Sequence, residues 1–228
     1  MKFKKLNNYS GWLTFLIALI VYFITVEDTA SFWDAGEFIA VSNKLEVPHP
    51  PGAPFYLLLG RFFSLFAFGN LEKIALAINF LSVLSSAFTV LFLFWTITHL
   101  TSKVIKTDNI NNILLVLLSG LTGALSFTFT DSFWFSAVEA EVYAMSSFFT
   151  AFVFWAILRW ESSEYISNQN RWIILIAYMM GLSIGVHLLN LVAIPALALI
   201  MYFKKAEIVS FFGVTSSLIL GLLVVGII

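Results

Sequence analysis

Long apolar runs broken by short clusters of charge leave this chain few folds to choose from. Gly11–Val26, Ile74–Thr98, Ile113–Thr130 and Val142–Leu158 contain no charged residue. A helix that crosses a bilayer needs about 20 apolar residues, with a range of roughly 17–25. Charged residues are 11% of the chain, against about a quarter in a soluble domain. The first run follows a basic start, Met1 to Lys5, and no small-residue cleavage site precedes Glu27-Asp28. It reads as a retained span rather than a signal peptide. With no Cys, neither a disulfide framework nor a thiolate metal site can form.

Trp172 to Phe203 fits neither one span nor two full ones. One helix of that length would be about 48 Å long at 1.5 Å per residue, too long for one upright span. Gly181, Gly185, His187, Asn190 and Pro195 interrupt it, Arg171 precedes it, and Lys204 and Lys205 follow. Cytoplasmic loops hold the excess of Lys and Arg, so both ends belong on one side. Two short spans, Trp172–Val186 and Leu191–Phe203, are therefore expected, turning near His187-Leu188-Leu189-Asn190. With Ile208–Ile228 as the last, the chain is expected to be an all-α polytopic membrane protein with about seven spans and its N-terminus inside. Residues 1–228 form one transmembrane domain, and residues 27–72 a first external loop with interfacial helices. The apolar end, Gly221 to Ile228, suits either a truncated chain or a span that stops at the far interface.

On this topology nine basic residues fall inside: Lys2, Lys4, Lys5, Lys103, Lys106, Arg159, Arg171, Lys204 and Lys205. Nine of the 13 acids fall outside: Glu27, Asp28, Asp34, Glu37, Glu46, Glu72, Asp131, Glu139 and Glu141. Acids contribute little to orientation, so an acidic outer face asks for a separate account.

The first external loop holds the densest chemistry. Ser31 is placed to cap a helix with Asp34 in its first turn. Asp34 and Glu37, three apart, share one helical face, with Phe32, Ala35 and Ile39 giving the apolar side. Two such carboxylates can divide base and orienting roles; a solvated helix with ordinary acids would look the same. Pro48-His49-Pro50-Pro51-Gly52-Ala53-Pro54 forbids a continuous helix, and Pro54 suits the start of the next one. His49 sits in that stiff turn, to orient a substrate or simply to be solvated. Arg61 either snorkels to water or meets a lipid phosphate. In the second external loop Glu139, Glu141 and Tyr143 can line a pocket, with Glu139 and Tyr143 on one side of a helix. His187 and Asn190 sit where the backbone is interrupted, and irregular backbone at membrane depth lies in protein or lines a wet cavity.

No phosphate-binding glycine loop, nucleophile elbow, HExxH pair or dinucleotide fingerprint occurs. No basic patch suggests nucleic acid, and no internal repeat supports a repeat-built transporter.

The order Trp33-Asp34…Glu37…His49-Pro50-Pro51-Gly52 between the first two spans resembles the first external loop of protein O-mannosyltransferases and the wider GT-C glycosyltransferases. The bacterial O-mannosyltransferase-like branch is the nearest likeness. Glu139-Ala-Glu141-Val-Tyr143 and Gly181-Leu-Ser-Ile-Gly185-Val-His187-Leu-Leu-Asn190 are similar to the same branch. In the eukaryotic enzymes the loop acids are adjacent and a Lys soon follows the His-Pro-Pro turn; here two residues separate Asp34 from Glu37, and Pro54 and Phe55 occupy that region. Members of the branch are longer, so this chain matches the N-terminal part of a GT-C-like module.

The resemblance implies transfer of a sugar, with mannose expected, from a polyprenyl-phosphate donor to a hydroxyl on a protein or other acceptor. The site would face the outer side of a membrane, a bacterial inner membrane by this likeness. Asp34 and Glu37 would be catalytic, with Asp34 as base. His49, Arg61, Glu139, Glu141, Tyr143, His187 and Asn190 would bind substrate. The leaving phosphate needs Arg61, a divalent cation held by external acids, or residues outside this sequence. A non-catalytic transporter, a lipid-binding scaffold or an inactive fragment is the competing reading.

Overall fold

The computed structural model describes residues 2–227, so Ile228, the expected end of the last span, lies outside them. Among the described residues the secondary structure is entirely helical. The α-helices are α1 Lys2–Ile24, α2 Ala35–Lys44, α3 Pro54–Ser64, α4 Ile74–Val104, α5 Ile110–Thr128, α6 Asp131–Val138, α7 Val142–Glu161, α8 Ile166–Ile184, α9 Ile194–Lys205 and α10 Phe211–Ile227. Short 3₁₀ turns fill Leu65–Ala67, Leu71–Lys73 and Leu188–Ala193.

Among the described residues five stretches are long and apolar enough to cross a membrane: Lys2–Ile24, Leu71–Val104, Ile110–Thr128, Val142–Glu161 and Leu188–Lys205. The other two expected spans correspond to α8, whose first turns hold Asn168, Gln169, Asn170 and Arg171, and to α10, with 17 described residues. The count of seven thus goes beyond these five.

The apolar pattern explains the packing. α4 is apolar all round and is the central helix, as such helices must be. Ile78, Val83, Ala87, Val90 and Phe94 along it are wholly buried. Phe15, Ala18 and Tyr22 of α1 and Ile113, Leu117 and Ala124 of α5 pack into the same core. A second cluster joins Phe38, Val41, Tyr56 and Leu57 of the first loop to Leu81, Phe149 and Val186. That cluster seats the loop on the bundle.

Close helix approach rests on small residues, as is usual where lipid supplies no hydrophobic drive between helices. A Cβ on Gly120 would lie 2.5 Å from Thr98 Cγ2 and 2.9 Å from the Phe94 ring. Gly120→Ala should therefore lower stability by about 1–3 kcal/mol through overpacking. Gly181→Ala, with open space around it, should be neutral or gain up to about 1 kcal/mol from helix propensity. Thermal unfolding in detergent reads both; a harmless Gly120→Ala would mean that α4 and α5 do not meet as described.

The helices alternate between two chemically distinct ends. At one, Lys103 Nζ pairs with Glu161 at 2.5 Å, and Lys204 Nζ donates to the Trp160 carbonyl at 2.6 Å. At the other, the Tyr22 hydroxyl donates to the Thr128 carbonyl at 2.8 Å, and Asn79 Nδ2 donates to the Glu27 carbonyl at 2.7 Å. α8 and α9 do reverse direction as the interrupted sequence implies. Gly185 lies beside the loop residue Phe55, whereas Lys204 returns to the end of α7. The reversal falls at Gly185–His187, slightly before the expected turn.

Candidate functional site

α2 and the loop after it are shaped by a few local rules. Trp33 adopts a left-handed φ of 61°, a conformation that costs a bulky residue energy and often marks functional segments. It turns the chain so that Asp34 stands at the N-cap of α2 without capping it through its side chain. Ser31 is not the cap that the sequence suggested: its hydroxyl donates instead to the Glu139 carboxylate. The buried face of α2 is Ala35, Phe38, Val41 and Ser42. Phe32, expected on the apolar side, is exposed, because the helix starts only at Ala35.

After α2 the chain doubles back through His49. Gly52, at φ +82°, donates its N–H to the His49 carbonyl at 3.0 Å, and Pro54 opens α3. The free N–H groups at the start of α3 then find a partner across the molecule. Phe55 N–H donates to the Gly185 carbonyl at 2.7 Å. A Cβ on Gly185 would stand 2.9 Å from Phe55 Cβ, so a glycine lets the loop dock on the break between α8 and α9. In the sequence Gly185 showed only as an interruption, and no local pattern marked its carbonyl as a docking point.

That docking brings three distant segments around one cleft of ≈ 330 Å³. Asp34 and His49 come from the first loop, Glu141 and Tyr143 from the start of α7, and His187 from the break before Leu188–Ala193. Glu37 holds His49 from behind. Its Oε1 accepts the His49 backbone N–H at 2.7 Å, and its Oε2 lies 2.8 Å from Nδ1. The other ring nitrogen, Nε2, is 4.0 Å from Asp34 Oδ2. His187 Nδ1 accepts the Leu189 N–H at 3.0 Å, so in the neutral ring Nε2 carries the proton. Its ring centroid lies 5.4 Å from that of Tyr143.

The electrostatics follow from this geometry. Hydrogen bonds from His49 hold the Glu37 carboxyl below its ordinary value. The same carboxylate raises the imidazole of His49. Burial lowers His187 and favours its neutral form. Burial first, then the charges of Glu139 and Asp34, push Glu141 up to about 7. Burial also raises Glu139, against the Ser31 hydrogen bond.

The signs fix the pH window of the Glu37–His49 pair. The His49 contribution is complete below the ordinary imidazole pKa and is lost as pH rises through the raised one. The Glu37 contribution is present above the ordinary carboxylate pKa and is lost as pH falls through the lowered one. Glu37→Gln should therefore return the His49 titration downward, toward about 6.5. Histidine-resolved NMR against pH checks this; an unmoved titration would mean that the pair does not form.

Several expected residues stand elsewhere. Arg61 donates to the Asn43 carbonyl at 2.7 Å and to Asn43 Oδ1 at 3.1 Å, tying α3 to the end of α2. It does not line the cleft; its guanidinium has a fixed partner in the same loop. Asn190 is buried, and its Oδ1 accepts from Ser146 and Thr150 on α7. It thus parts from His187 and props the break from within. Glu139 and Tyr143 do not share a helical side, because Glu139 and Glu141 are extended. Glu141 and Tyr143 face the cleft, while Glu139 lies behind with Ser31. One ligand atom from each of Asp34, Glu37 and His49 fits within 4.8 Å of the others. Two carboxylates and an imidazole suit a divalent cation. Both Glu37 oxygens already engage His49, so a cation would compete with that pair.

A family profile described as "Protein O-mannosyl-transferase TMEM260 N-terminal domain" matches residues 34–210. The "Protein O-mannosyl-transferase tmem260" of Dictyostelium discoideum is 32% identical over 139 residues, 61% of this chain and 15% of that protein. The mouse "Protein O-mannosyl-transferase TMEM260" is 26% identical over 165 residues, 72% of this chain and 21% of its own length. The chain therefore spans about a fifth or less of these curated relatives. No solved structure matches it.

Proposed function

The chain belongs to the protein O-mannosyl-transferase TMEM260 N-terminal domain family, and from that premise we propose that it takes part in moving mannose from a polyprenyl-phosphate donor to an acceptor hydroxyl. The observation that carries this reading is the cleft itself. It sets a half-exposed carboxylate, Asp34, beside His49 and opposite Glu141 and His187. A hydroxyl is a poor nucleophile and needs a base within reach.

In this reading Asp34 takes the proton of the acceptor hydroxyl. The oxygen attacks the anomeric carbon opposite the phosphate, forming the new glycosidic bond with inversion. The anomeric carbon–oxygen bond to phosphate breaks, and polyprenyl phosphate leaves with the electron pair. His49, whose protonated form Glu37 favours, and the Nε2–H of His187 offer positive charge and a donor to that phosphate. They take the place foreseen for Arg61. A divalent cation drawing on Asp34, Glu37 and His49 is the alternative counter-charge. Glu141 and Tyr143 shape the sugar side, and Glu139 stands behind them with Ser31.

We assign the site to the GT-C type, with the N-terminus cytoplasmic and the acidic end outside. The lysines and arginines gathered at the opposite end support that orientation. The bacterial inner membrane rests on the first-loop resemblance alone. A cation-handling transporter or lipid scaffold is favoured only by the acidic surface.

The test is direct. Membranes containing the protein are given labelled mannosyl polyprenyl phosphate and a Ser/Thr peptide. Label should reach the peptide from the lipid donor and not from a nucleotide sugar. Transfer from the nucleotide sugar alone, or none in membranes where the protein is folded and abundant, would sink the proposal.

A further inference from the structure

We propose that the end of the bundle opposite the acidic cleft holds a second site, a cleft for the phosphate of an anionic glycerophospholipid, framed by Lys4 and Arg159 and walled by Trp12, Trp95 and Trp155. The cleft is ≈ 480 Å³ and lies between the start of α1, the last turns of α4 and the end of α7. It shares no residue with the sugar-transfer site and takes from that reading only the cytoplasmic placement of this end.

Charge complementarity identifies the occupant. α1 and α7, which both pack on α4, each deliver one cation to the same cleft. Among the described residues neither Lys4 nor Arg159 makes an ion pair or side-chain hydrogen bond, whereas Lys103 nearby is committed to Glu161 at 2.5 Å. Glu161, the adjacent acid, is thereby occupied and does not line the cleft. Asn7 adds a side-chain amide whose Oδ1 is buried without a partner. The two ends of such an amide are told apart only by their hydrogen bonds. Turned over, its NH₂ would present a donor to an anion.

The walls separate a lipid phosphate from a soluble one. Trp12 and Trp95 meet edge to face at 6.2 Å, and Trp95 and Trp155 lie 5.7 Å apart. Trp12 is 46% exposed on the outer surface of the bundle. Tryptophans concentrate at headgroup depth in membrane proteins. A soluble phosphate has no use for three indoles, but a glycerol backbone and the first methylenes of an acyl chain do. Basic pockets between helices on the cytoplasmic side are where anionic headgroups gather.

The experiment uses the purified, delipidated protein in neutral detergent. Dioleoylphosphatidylglycerol, dioleoylphosphatidylcholine or inorganic phosphate is titrated in. Bound lipid is counted by native mass spectrometry, and the melting midpoint is followed. Phosphatidylglycerol should bind and raise the midpoint, with phosphatidylcholine and inorganic phosphate doing neither. Lys4→Gln and Arg159→Gln should each weaken phosphatidylglycerol binding about fivefold, the effect of one cation near a charged lipid surface. Lys205→Gln, in the last turn of α9, should leave it unchanged. An unshifted lipid-free midpoint shows that the variants are folded. Equal binding of the two lipids, an equal midpoint shift with phosphate alone, or full binding by the Lys4/Arg159 double variant would overturn the site. So would an equal loss in Lys205→Gln, which would mean a diffuse basic surface.

Discussion

Replacing Asp34 by Asn should lower sugar transfer by roughly two to four orders of magnitude, the usual contribution of a positioned general base. The substitution keeps size and shape and removes only the charge and its basicity. Few structural contacts depend on that charge. Asp34 makes no side-chain cap bond to α2, and its side chain is 57% exposed. Losing an acid at a helix start costs about 0.3–1 kcal/mol, so the variant should fold and insert. The nearest charged partner, His49 Nε2, is 4.0 Å away, too far for a direct hydrogen bond. No direct hydrogen bond to that ring occupies the carboxylate, as the proposed role of base requires. Arg61→Ala makes the contrast. Its guanidinium is spent on Asn43, so transfer per folded molecule should be kept while the α2–α3 loop loosens. Initial rates in membranes, normalised to folded protein, decide between them. Transfer by Asp34→Asn at the wild-type rate would remove Asp34 as the base.

What could be read in advance follows the range of the forces involved. The helical class was legible because apolar run length is a local property of the chain. The reversal of α8 and α9 was legible because Arg171 and Lys204–Lys205 bracket an interrupted stretch. Pro54 marked the start of α3 correctly, since a proline at that place needs no partner. The Asp34–Glu37–His49 grouping was half legible: helical spacing paired the acids, but not the way Glu37 grips both the ring and the backbone of His49. What stayed hidden were contacts between residues far apart in sequence. The Ser31 hydroxyl reaches Glu139, the Phe55 N–H reaches Gly185, and the Arg61 guanidinium folds back on Asn43. No spacing rule reports such contacts. They decide that Ser31 is no cap, that Glu139 stands behind the cleft, and that Arg61 ties α3 to the end of α2. Periodicity misled at Glu139–Tyr143, where a helix was assumed through residues that are extended.

Glu141→Gln should stabilise the protein, and the gain should grow as pH rises. Glu141 is 6% exposed and faces the charges of Glu139 and Asp34, which with burial place its pKa at about 7 rather than the model-compound value of 4.5. The folded state therefore holds this proton more tightly than the unfolded chain does. Stability falls with pH wherever the folded state binds more protons. Below about pH 4.5 both states are protonated and the group is neutral in its effect. Between there and about pH 7 the penalty accumulates, and above pH 7 it is complete. A shift of this size corresponds to about 3 kcal/mol at most, at 1.36 kcal/mol per unit. Gln keeps the shape and can never ionise, so it escapes that penalty. The variant should melt at nearly the wild-type temperature at pH 4.5 and well above it at pH 8. Glu139→Gln should draw the Glu141 titration downward by removing one of its neighbouring charges, and so flatten the pH dependence. A Glu141→Gln advantage that did not change between pH 4.5 and pH 8 would show that Glu141 titrates alike in the folded and unfolded chain, so that burial beside Glu139 and Asp34 does not raise it.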